Sequence, residues 1–114
     1  MTAEIVRQLL LSLDHPDPAQ RETARQALLD MDEDAIDPLS DAFFAGVNEA
    51  LGVAILEVVG AIGGPDALLM LRNVYNFEDR RMVWKRTAGL GLLHNRDNLD
   101  QHELEALLAD KRLT

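Results

Sequence analysis

Apolar residues recur at three- and four-residue spacing through almost every window of the chain, and no window sustains the two-residue alternation of a half-buried strand. The pattern predicts an all-α protein. In the first stretch Ile5, Leu9 and Leu13 form one ridge and Val6 and Leu10 the next, until His15, Pro16 and Pro18 end the helix. Asp17 reads as an N-cap with Pro18 at the first helical position, where the N–H that proline lacks would be unpaired anyway. The second helix is expected to bury Ala24, Ala27, Leu28 and Met31. Asp30 to Asp34 is too polar for core, and the third helix follows it with Pro38 in its first turn and Ile36, Leu39 and Phe43 on its inner face. Gly46 to Asn48 closes that helix. The fourth, from about Asn48 to Ile62, is apolar on nearly all sides and must be central. Gly63-Gly64-Pro65 is the sharpest turn signal, after which a fifth helix buries Leu68, Leu71, Val74 and Tyr75. The chain restarts around Asn76 to Asp79. A sixth helix carries Met82, Val83, Ala88, Leu92 and Leu93 and ends near Asn95. The last begins at Asp100, with Glu103 placed as the return arm of a capping box, and buries Leu104, Leu107 and Leu108.

The even-numbered helices superimpose. Arg21-Glu22-Thr23-Ala24 with Leu28 and Leu29 matches Leu51-Gly52-Val53-Ala54 with Val58 and Val59, and then Lys85-Arg86-Thr87-Ala88 with Leu92 and Leu93. The spacing is 30 residues, then 34. Their partner helices align too: Ile36, Leu39 and Phe43 correspond to Leu68, Leu71 and Tyr75, and more loosely to Leu104 and Leu107. A small residue at 24, 54 and 88 would let neighbouring helices approach closely. One hairpin alone cannot bury both its faces, so such units must stack.

This pattern resembles HEAT repeats, in particular the short HEAT-like repeats of the phycobilisome-lyase type. Asp17-Pro18-Ala19-Gln20-Arg21-Glu22-Thr23-Ala24 and Ala35-Ile36-Asp37-Pro38-Leu39 match that motif well, and Val83-Trp84-Lys85-Arg86-Thr87-Ala88 moderately. The middle unit departs from it, with Leu51 where a basic residue is usual. The resemblance implies one domain spanning residues 1–114, an α-α superhelix (a HEAT/armadillo-like solenoid) of about three helical hairpins plus an N-terminal helix. Its approximate units are a half-repeat at 1–13 and repeats at 14–46, 47–76 and 77–114. It also implies a concave face lined by the partner helices, which here carry Arg7, Leu10, Asp37, Ser40, Asp41, Phe44, Leu69, Arg72 and Asn73, with Phe44 and Leu69 as apolar anchors and Arg72 as the charged one.

A chain of 114 residues holds one domain, and 47% hydrophobic content supports a folded core. Only 4% is aromatic, so aliphatic residues must build that core. The net charge of -9 repels phosphate backbones and anionic lipid, so neither nucleic acid nor membrane is an expected partner. The lack of cysteine excludes disulfides, thiol catalysis and Cys-ligated zinc. No signal peptide or membrane-spanning run is read, and a cytoplasmic location is expected.

Candidate chemistry adds little. Asp30-Met31-Asp32-Glu33-Asp34 with Asp41 has the spacing of an EF-hand calcium loop, but Ala35 stands where the sharp turn wants Gly, Asp37 occupies the eighth position and Pro38 follows. The stretch reads as an acidic turn that favours the start of the next helix. His15, His94 and His102 lack ligand spacing, Ser12 and Ser40 lack a nucleophile-elbow context, and no glycine-rich loop carries a phosphate-binding lysine. No catalytic residue, metal or cofactor is nominated. Charge is uneven: residues 1–47 hold ten acidic and three basic side chains, residues 79–114 six and seven. Arg80, Arg81, Lys85 and Arg86 cluster beside Trp84, as either a docking patch or a solvated face with Trp84 wedged between repeats. The expected function is a non-enzymatic scaffold or adaptor that binds a protein partner through its concave face. The family resemblance implies an alternative, a bilin lyase-like or chaperone-like subunit acting on a chromophore-bearing protein. A second copy of the chain, meeting acidic half to basic third, is a further candidate partner.

Overall fold

The computed structural model describes residues 2–78 and 81–113, and among them every regular element is helical. The α-helices are α1 (Thr2–Leu13), α2 (Pro18–Met31), α3 (Ile36–Ala45), α4 (Glu49–Ile62), α5 (Pro65–Phe77), α6 (Met82–His94) and α7 (Gln101–Ala109). Short 3-10 turns at Asp32–Ala35, Arg96–Asn98 and Lys111–Leu113 join or close them.

The starts follow the local chemistry. Asp17 accepts a hydrogen bond from the Ala19 amide at 3.0 Å and Pro18 opens α2. Asn48 caps α4 by accepting from Leu51 N at 2.8 Å, and its amide donates to Asp14 at 3.1 Å, tying that cap to the α1–α2 turn. Asp100 accepts from Glu103 N at 2.8 Å. The expected return arm does not form there, because the Glu103 carboxylate is taken by Arg72 of α5.

Alternate helices meet. α2 packs on α4 and α4 on α6, while α1 packs on α3 and α3 on α5. α4 touches α1, α2, α3, α5 and α6, as its all-round apolar surface predicts, and Ile55, Leu56, Val58 and Val59 are fully buried in it. Several of the side chains aligned in the sequence behave alike. Leu28, Val58 and Leu92 are buried, as are the pairs Ile36 and Leu68, and Leu39 and Leu71. Thr23 and Thr87 donate to the carbonyls of Ala19 and Val83, four residues back, at 2.9 and 2.7 Å. Arg21 donates to the carbonyls of His15 and Pro16 in the turn before its helix, and Lys85 donates to the Tyr75 carbonyl ahead of α6.

Several assignments of residues to the core change. Ala24 and Ala88 are buried but Ala54 is only half-buried, and glycines make a close approach between α4 and α6 instead. A Cβ on Gly60 would lie 3.1 Å from Gly91 Cα. Met82, Val83 and Leu108 are exposed, because Trp84 takes the inward position at the start of α6 and Leu113, from the final turn, is buried against Gly89 and Tyr75. Ile5 is also half outside the core. The radius of gyration, 13.7 Å, is close to the roughly 13 Å of a compact chain this long.

Candidate functional site

α3 and α5 run side by side in the same direction. Their starts share a recess of about 140 Å³ between Glu33 and Ile36 on one side and Gly63 to Asp66 on the other. Their ends share a cleft of about 330 Å³, walled by Phe43, Phe44, Gly46 and Val47, by Asn73, Val74, Phe77 and Glu78, and by Arg81 and Trp84 at the start of α6. The α3–α5 pair therefore has a recess with acidic residues at its start and an aromatic cleft at its end.

The aromatic end is built from the inside out. Trp84 is 8% exposed, and its ring lies over Gly52 of α4, where a Cβ would come within 2.4 Å of it. Its Nε1 donates to the Glu49 carbonyl at 2.9 Å, which fixes the ring and satisfies its one polar atom. Phe43 packs against Trp84 with ring centroids 4.7 Å apart, and Phe44 meets Phe43 edge-on at 5.2 Å. The Arg81 guanidinium sits 4.9 Å above the Trp84 ring and reaches the Glu49 carboxylate at 3.5 Å. Four of the chain's five aromatic residues thus converge on one cleft. Two of them project from it: Phe44 is 58% exposed and Phe77 78%.

No protein-family model matches this chain, and neither a curated protein nor a solved structure is found to match it.

Of the residues expected on a binding face, Phe44, Asn73, Arg81 and Trp84 line this one cleft. Trp84 does so as a wedge between helices, not as a projecting anchor. Leu69 is exposed one turn before Asn73 on the same stripe of α5, and Asp41 lies exposed one turn before Phe44 on α3. Arg72 is drawn away from the groove. It donates from Nε and Nη2 to the two Glu103 oxygens at 2.8 and 2.9 Å, and this pairing raises its pKa further above that of a free guanidinium. It therefore ties α5 to α7. Arg80, expected in the basic patch, lies outside the described residues. Lys85 and Arg86 are engaged by the backbone carbonyls of Tyr75 and Arg112.

Phe77 was not anticipated. The polar run from Asn76 to Asp79 reads as a break, whereas α5 continues to Phe77. Its spacing from Leu69 and Asn73, eight and four residues, was the available signal. Elsewhere, His15 serves the α1–α2 turn, its Nδ1 accepting from Asp17 N at 2.9 Å. Among the described residues no group of three or more His, Asp or Glu is arranged to hold a metal ion, and no helix is long and apolar enough to cross a membrane.

Proposed function

We propose that the chain is a non-catalytic binding module of stacked HEAT-like hairpins that takes a segment of another protein into the groove between α3 and α5. The reading rests on the aromatic cleft. A chain this poor in aromatics places all three phenylalanines and its single tryptophan around one cleft, and leaves Phe44 and Phe77 facing solvent. Each exposed ring forgoes about 25 cal/mol per Å² of apolar surface until something covers it, and aromatic anchors on a rigid, pre-formed surface are the usual hot spots of protein interfaces. The stacked-hairpin reading is supported by alternate-helix packing, by the shared direction of α3 and α5, and by the matching roles of Arg21 with Lys85 and Thr23 with Thr87. In a superhelix of this kind α3 and α5 lie on the inner row.

The test is a double truncation. Phe44→Ala with Phe77→Ala removes two exposed rings and should leave the thermal melt nearly unchanged. Affinity for the native partner should fall by about thirtyfold or more, the loss expected for hot-spot residues. A partner held equally well by both proteins would remove the groove from consideration.

A further inference from the structure

We infer that the occupant of the α3–α5 groove is a cationic amphipathic helix of another protein, seated with an apolar side chain in the aromatic cleft and its basic residues toward the start of α3. This rests on the groove reading above and adds the chemistry of the partner. The observation behind it is the sign of the charge along α3 and at the start of α5. The ion pairs that engage Glu4, Glu22, Glu49, Glu103 and Asp110 do not reach Glu33, Asp37, Asp41 or Asp66. These four carboxylates are exposed on the elements that flank the groove. Asp37, Asp41 and Phe44 follow one another at helical spacing along the outer stripe of α3, while the intervening Leu39 and Phe43 are buried. Only at the aromatic end does a cation, Arg81, face the cleft, and it is already paired with Glu49.

The dimensions suit one short helix. α3 has 10 residues, roughly 15 Å of axis, so an apolar anchor and a lysine about seven residues apart on a partner helix, roughly 10 Å, would reach Phe44 and Asp37 together. Acid flanking an apolar groove selects a basic partner over a neutral one by complementary potential, and that preference weakens with salt. An anionic nucleic acid or lipid surface would meet the same carboxylates as repulsion.

Trp84 is the chain's only tryptophan and lines the cleft, so its emission reports occupancy directly. The probe is an amphipathic peptide of about 14 residues with leucine and phenylalanine on one face and lysine on the other, compared with an analogue carrying glutamine for lysine. At low salt the lysine peptide should shift Trp84 emission and bind at least about tenfold tighter than the glutamine peptide, with the difference shrinking at about 0.5 M salt. Asp37→Lys with Asp41→Lys should abolish the preference. Asp37→Asn with Asp41→Asn, which preserves side-chain shape, should reduce it if the lysine variant does not fold. Equal binding of both peptides, lost on Phe44→Ala with Phe77→Ala, would overturn the charge assignment while leaving the groove in place. Binding indifferent to the acidic and the aromatic variants alike would overturn both. Failure of the lysine peptide to bind overturns the inference, as does a dimer in sedimentation that the aromatic variants dissolve, which would give the groove to a second copy.

Discussion

Gly52 stands in the first turns of α4, where glycine costs a helix about 1 kcal/mol relative to alanine. The Trp84 ring explains why it is there, since a Cβ would overlap three of its ring atoms at 2.4 Å. Indole is rigid and held by its bond to the Glu49 carbonyl, so it cannot yield as a flexible chain end would. Gly52→Ala should therefore lower unfolding free energy by about 1–3 kcal/mol despite the better helix former, the cost typical of overpacking. Urea denaturation would show this, together with a red shift of native Trp84 emission as the ring is pushed toward water. An alanine variant as stable as the parent would mean that Trp84 does not depend on that gap. The same reasoning separates Gly60 and Gly91 from the alanines of the repeat. At their contact backbone meets backbone, and Asn95 ties the two helices of the seam by donating to the carbonyls of both, at 2.9 and 2.8 Å.

At the scale of elements, one carboxylate holds the turn Lys111–Leu113. Asp110, whose side chain is 8% exposed, accepts from the Tyr75 hydroxyl, from Arg112 Nε and Nη2 at 2.8 Å each and from the Arg112 amide at 3.0 Å. Arg112 in turn offers its carbonyl to Arg86 of α6, and Leu113 fills the space over Gly89. The Arg112 guanidinium, and then the Tyr75 hydroxyl, hold the Asp110 carboxyl well below the usual carboxylate range. A group depressed in the folded state stabilises it fully above the unfolded pKa, near 4, and loses that contribution as pH falls below it toward the folded value. Acid should therefore loosen the final turn from α6. Asp110→Asn should lower the melting temperature at neutral pH and flatten its decline on the acid side. If the asparagine variant and the parent lose stability in parallel from pH 5 to pH 2, the carboxylate does not hold that turn. Tyr75 shows the counterpart: burial first, and then the bond to Asp110, push its hydroxyl pKa up.

Across the whole molecule, a net charge of -9 works against compaction. Screening should relieve it. Raising sodium chloride from about 10 mM to about 150 mM, which shortens the Debye length from about 30 to about 8 Å, should raise the melting temperature. A melting temperature that falls over this range would show that the ion pairs outweigh the repulsion. Helix on helix is also what fixes the recess and cleft. α3 and α5 each bury one stripe against the interior, and their side-by-side packing leaves a recess between their starts and a cleft between their ends.

The linear pattern alone determined the helices and much of the buried set, because each is written in local spacing: Leu39 and Leu71, or Asp17 with Pro18, carry their role in their neighbours along the chain. It also named Phe44, Asn73, Arg81 and Trp84, though as members of two separate surfaces. Only the tertiary structure decided that these two surfaces are one cleft, that Phe77 belongs to it, and that Arg72 is spent on Glu103. Those outcomes depend on contacts between residues about 30 positions or more apart, such as Trp84 over Gly52. Periodicity tells which side of a helix faces inward, but not which side chains of different helices come to share the same space.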